Sequence, residues 1–178
     1  MSSEAERFEW FREHLTYEWN MLQYSLRRMN ETNSPSLDWN CFYESFGVHA
    51  RTLYEFLTNE ADSRSFKASD YTSSYRIAKS NLTKGAFEKI NRQVFHLAKN
   101  RPAAAEDKFN SSGCRRLFEL FGDEMARFIG KLPDKYQAAW AERCSSAGMS
   151  VSGSVPSATG HITSTSVFVS QISKLGGK

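Results

Sequence analysis

The sequence predicts an all-α protein: an antiparallel bundle of four principal helices plus a short fifth helix, with a flexible C-terminal tail. Three observations lead there. Apolar residues recur at spacings of three and four through most of the first 144 residues, the period of a helix face. Strand-like alternation is almost absent before Val167. From Ser145 the chemistry changes. The last 34 residues contain ten Ser, three Thr, two Lys and no acid, too little apolar surface to offset the entropy of ordering a segment. The expected organisation is a helical bundle over residues 1–144 and a mostly disordered Ser/Thr-rich tail over 145–178.

The first helix is expected from about Glu4 to Met29. Ser3 followed by Glu6 has the pattern of a capping box, in which each side chain satisfies a free backbone N–H. Phe8, Phe11, Leu15, Trp19, Leu22, Leu26 and Met29 form one apolar stripe. Trp10, Tyr17, Met21 and Tyr24 form a second, nearly opposite. A helix apolar on two sides needs two partners, so all four are expected to be buried, by a second copy where one chain cannot cover them.

Asn30 to Ser36 reads as a turn with Pro35 as breaker. Asp38 is placed to cap a second helix running to about Asn59, with Phe42, Phe46, His49, Leu53 and Phe56 inward. Gly47 inside that pattern costs roughly 1 kcal/mol relative to Ala, and a close helix–helix approach is the usual compensation. Glu60 to Leu82 is polar and poorly periodic, a loop with room for one helical turn. Thr83 opens a third helix ending near Asn100, before Pro102. Ser111 or Ser112 opens a fourth, and Gly130 suits its end. Pro133 suits the first turn of the short fifth helix, which carries Tyr136 and Trp140.

The 178 residues are 40% hydrophobic and 24% charged, values of a globular domain. No apolar run approaches the roughly 20 residues of a membrane span. Met1 to Arg12 lacks the apolar centre of a signal peptide, so a cytoplasmic protein is expected. Three cysteines without a secretory signal suggest reduced thiols. With no CxxC, no Cys/His cluster and no phosphate-binding glycine loop, no metal or cofactor is expected. Charge is segregated. Tyr71 to Lys108 holds eight Lys/Arg against three Asp/Glu (+5), and Asp38 to Asp70 three against six (−3).

Two regions hold candidate site residues. On the second helix, His49 interrupts the apolar stripe, where a histidine is most often a buried, hydrogen-bonded residue. Arg51 has Glu55 one turn later and Glu44 two turns earlier, a ladder that pairs charges or positions Arg51 for an anion. On the third helix, Lys89, Arg92, His96 and Lys99 make one basic strip away from the core face. Such a strip is either a solvated surface or suited to phosphate chemistry. His96 titrates near neutrality and can move a proton. Arg92 can hold and stabilise a phosphate, and Lys89 and Lys99 would bind the RNA backbone. RNA supplies its own nucleophile, the 2′-hydroxyl, so no metal is needed. His14 and His161 carry less weight, as a surface or interface residue and a tail residue.

The segment from Glu44 to Leu57, ESFGVHARTLYEFL, resembles an ESFxxHARxLxxFL pattern of short, uncharacterised bacterial proteins. The similarity continues through Ile90-Asn91, His96-Leu97, Arg101, Tyr136 and Trp140 and spans most of residues 4–143. More distantly the layout is similar to HEPN domains. That resemblance implies an all-α, commonly dimeric, metal-independent ribonuclease of a defence or toxin–antitoxin system. The HEPN motif separates Arg from His by four to six residues, whereas three separate Arg92 from His96. Three readings follow: an endoribonuclease using His96 and Arg92; a non-catalytic dimerisation or protein-interaction module; and a ligand-sensing bundle with a pocket around His49.

Overall fold

The computed structural model describes residues 3–32, 36–77 and 110–146 and, between these, residues 85, 88, 90 and 94. Ser3 opens the first helix, α1, with the expected reciprocal bonds. The Glu6 N–H donates to Ser3 Oγ (3.2 Å), and the Ser3 N–H donates to Glu6 Oε2 (2.7 Å). α1 spans 4–31 as an α-helix Glu4–Trp10, a π turn Phe11–Leu15 and an α-helix Thr16–Glu31. At the π turn the Thr16 N–H bonds to the Phe11 carbonyl, and the Thr16 hydroxyl takes the Arg12 carbonyl at 2.6 Å. The hydroxyl thus adds a side-chain donor to a carbonyl at the wider turn.

Three further helices are described: α2 (Leu37–Thr58), α3 (Ser111–Ile129) and α4 (Asp134–Ser146). Their caps correct the sequence reading by one or two residues. Ser36, not Asp38, caps α2, accepting from the Trp39 N–H at 3.1 Å. Asn59 ends α2 in the left-handed region, φ 61°, which Asn tolerates better than most residues. Asn110, not a serine, caps α3 through the Gly113 N–H at 3.0 Å, and Gly130 is its C-cap as expected. Pro133 lies just before α4, where its carbonyl accepts from Tyr136 and Gln137. α4 runs two residues past the expected domain edge at 144. Among the described residues there is no strand, and no helix is long and apolar enough to cross a membrane.

Aromatic contacts set the packing. Trp10 stacks on Phe56, Tyr17 meets His49 and Tyr24 meets Phe42. Numbers rise along α1 as they fall along α2, so these two helices run in opposite senses. Trp19 stacks on Phe118 of α3 at 5.3 Å, and Phe11 meets Tyr136 of α4 edge-on at 5.0 Å. Most of the expected stripes are buried, with Phe11, Leu15, Leu22 and Leu26 on α1 and Phe46, Leu53 and Phe56 on α2, while Phe8 and Phe42 are half-buried against the core; Leu117, Phe121 and Phe128 are buried on α3.

The segment after α2 contains a 3-10 turn, Ala68–Asp70, yet it is more than a surface loop. Ala68 and Tyr75 are fully buried, and Tyr71 contacts Phe11, Phe56, Phe128 and Tyr136. Its apolar residues follow turn geometry rather than a helical period, so periodicity overlooked them.

Of the third helix, Gly85, Glu88 and Ile90 are helical and Val94 lies in a π turn. Ile90 is buried and Val94 packs on the core. A Cβ added at Gly47 would lie 3.1 Å from Val94 Cγ2 and 3.3 Å from Ile90 Cγ2, so Gly47 admits the close approach that its place in the stripe predicts. Thr83, Pro102 and the tail beyond residue 146 lie outside the described residues.

The three cysteines are unpaired. Cys41 is exposed, while Cys114 and Cys144 are buried. Burial pushes both buried thiols up, Cys144 to about 12. Burial likewise raises the phenols of Tyr71 and Tyr75. These groups ionise at lower pH in the unfolded chain, so unfolding releases protons and stability falls as pH rises. We expect the melting temperature to decline from about pH 9, the region of the unperturbed thiol, towards 12. A thiol reagent at pH 8 should modify Cys41 alone in the native protein and all three cysteines in denaturant. Fast native modification of Cys114 would contradict this packing.

Candidate functional site

The described site lies between α1 and α2. His49 is brought inward by the stripe of Phe46 and Leu53 and is 8% exposed. Its Nδ1 sits 2.7 Å from Glu18 Oε2, on the facing helix. Tyr17 packs edge-on against the imidazole at 5.7 Å. Two turns along α1 the interface has a second polar rung, Ser25 Oγ and Ser45 Oγ at 2.8 Å. The two rungs cross-link the helix pair and hold its register. The expected burial and hydrogen bond of His49 are both present.

A carboxylate against one imidazole nitrogen is also the arrangement that orients a histidine for proton transfer. Here the pair is mostly buried. With side-chain exposures of 10% for His49 and 19% for Glu18, substrate has little access to the ring, and a buried, paired polar group is what interhelical structure requires.

The other motif residues are not gathered at His49. Arg51 Nε donates to Glu55 Oε1 at 2.7 Å on the outer side of α2, the ladder contact expected from spacing. Glu44 is exposed. His14 is exposed, its ring 5.9 Å from that of Trp10. Lys89, Arg92, His96 and Lys99 lie outside the described residues. An open pocket lies at the start of α3, lined by Ser111, Ser112, Arg115, Arg116 and Glu119. His49 does not line it, so it lends nothing to a ligand cavity around that histidine.

Of the second stripe on α1, Trp10 is half-buried, against Phe56, Phe66 and Tyr71, and Met21 is half-buried. Tyr17 and Tyr24 are 52% and 41% exposed, so a single chain does not bury them as expected. Val48 on α2 is exposed as well.

Sequence reading missed two partners. Glu18 finds His49 across a helix pair, which no local spacing reveals. Glu124, 1% exposed, accepts from the Tyr75 hydroxyl at 3.0 Å and from Arg127 Nη1 at 2.6 and 2.9 Å. An acid between Phe121 and Phe128 on the core stripe was the available signal. Among the described residues no group of three His, Cys, Asp or Glu could hold a metal ion. The chain matches no family model, no curated protein and no solved structure.

Proposed function

We propose that this chain is an antiparallel helical bundle that acts as a non-catalytic protein-interaction module, with the outer face of α1 and α2 as its contact surface. One observation carries the reading. The histidine of the ESFGVHARTLYEFL segment is held against Glu18 in the helix interface, while Tyr17 and Tyr24 on α1 and Val48 on α2 are exposed. Exposed aromatic residues on a rigid helix pair suit protein contact, because they offer large area at little entropic cost. The motif residues then act by fixing the shape of that face.

The test is a pair of measurements. His49→Ala should destabilise the fold by about 1–3 kcal/mol, the cost of leaving a buried polar partner unpaired, and His49→Gln should recover part of it. Incubation with single-stranded RNA and a metal chelator between about pH 6 and 8 should leave the RNA intact. Cleavage to 2′,3′-cyclic phosphate ends, abolished by His96→Ala and slowed by Arg92→Ala, would replace this reading with the HEPN-like ribonuclease, with Lys89 and Lys99 on the RNA backbone.

A further inference from the structure

The outer face of α1 carries a ridge that its own chain leaves largely exposed. Glu13, Tyr17, Asn20, Tyr24 and Arg27 follow one another at spacings of four and three, which keeps them on one side of a helix. Glu13, Tyr17, Tyr24 and Arg27 are exposed and Asn20 is half-exposed. The charges at the two ends of this ridge differ in sign. Glu9 and Glu13 outnumber Arg12 at one end, and Arg27 and Arg28 outnumber Glu31 at the other. Tyr17 and Tyr24 lie between them, two turns or about 10 Å apart at 1.5 Å per residue.

From this complementarity we infer that the partner of the face is a second copy of this chain, paired α1 to α1 in opposite senses about a two-fold axis near Asn20 and Met21. The inference rests on the interaction-module reading and names its partner. Across such an axis Tyr17 of each copy lies against Tyr24 of the other, and Glu13 meets Arg27 and Arg28. A parallel pairing would set Glu13 on Glu13 and Arg27 on Arg27, like charge on like, so the charges select the antiparallel sense. The existing contacts of these ends do not prevent it. Glu13 reaches Arg143 and Arg12, and Arg27 reaches Glu31 at 3.8 Å. All are solvent-exposed pairs, which gain little and rearrange readily.

Sedimentation equilibrium of the full chain tests this with two charge reversals. Wild type should be a dimer at micromolar concentration. Glu13→Arg alone and Arg27→Glu alone should each raise the dissociation constant at least tenfold, because each sets like charges across the axis. Mixing the two variants should restore a dimer. At one end of the mixed pair the introduced arginine faces the introduced glutamate, and at the other end the native Glu13 still faces the native Arg27. Tyr17→Ala with Tyr24→Ala should dissociate the dimer while the monomer still melts cooperatively, at a temperature lowered only by the loss of the ring contacts with His49 and Phe42. A monomeric wild type overturns the inference. So does a dimer indifferent to both reversals, which would place self-association on another face and leave the module reading standing. RNA cleavage by a dimer that responds as described would overturn the module reading alone.

Discussion

Phe128→Ala is expected to destabilise the protein by about 3–5 kcal/mol, the usual cost of deleting a buried aromatic ring. Phe128 is fully buried on α3. Its ring meets Phe56 of α2 at 5.3 Å, Tyr75 at 5.3 Å and Tyr71 at 6.1 Å, each nearly edge-on. One side chain therefore ties together α2, α3 and the segment between Ala68 and Tyr75. Its removal opens a cavity whose walls belong to three separate pieces of chain, which cannot collapse together without moving a helix. Urea unfolding followed by circular dichroism would measure the loss. For a domain whose whole stability is on the order of 5–15 kcal/mol, the loss is a substantial share of the total, and at the lower end of that range the variant should be partly unfolded at 37 °C. A loss below about 1 kcal/mol would mean that this junction is not packed as described.

Glu124→Ala should cost about 3 kcal/mol, from the orphaned partner and the lost packing together. The Glu124 carboxylate is the acceptor for the buried Tyr75 hydroxyl and for Arg127 Nη1, and Arg127 Nη2 also reaches the Arg76 carbonyl at 3.4 Å. Arg127 is nearly half exposed and can return to water. Tyr75 is fully buried and cannot. The asymmetry gives a sharper test. Adding Tyr75→Phe to a Glu124→Leu protein should recover part of the loss, because removing both partners leaves no unpaired polar group. A double-mutant cycle over Tyr75 and Glu124 would read this as a coupling above about 0.5 kcal/mol. Strict additivity would show that the hydroxyl does not depend on the carboxylate.

These two sites differ in how visible they are from the sequence. Leu117, Phe121, Met125 and Phe128 follow one another at spacings of four, four and three, so a helical period alone places them on one face. Glu124 occupies the same face, but nothing adjacent in sequence predicts that a tyrosine 49 residues earlier will meet it. Tyr75 itself lies in a segment without period, where burial depends on how turns fold back over the helices. Cap positions fall between these cases. Ser36 and Asp38 both suit an N-cap, and Asn110 competes with Ser111 and Ser112. Local chemistry placed each helix start to within one or two residues, and the cap hydrogen bonds fall on Ser36 and Asn110.

The same division holds for the candidate site. The position of His49 on an apolar stripe was enough to predict a buried ring with a hydrogen-bond partner, because a helix face and the cost of an unpaired polar group are both local facts. Glu18 as that partner was decided by the crossing of α1 and α2. That Tyr17 and Tyr24 stay exposed was likewise a tertiary outcome. The amphipathic pattern marked them as needing cover, but which sides of α1 receive a neighbour depends on where α2, α3 and α4 dock. Periodicity and caps, which act over one to three turns, determined the all-helical class, the Gly47 contact and most of the core. Contacts between distant residues determined the polar rungs, the buried carboxylate and the free face of α1, because burial is settled by what packs opposite and a single strand of sequence records only its own side.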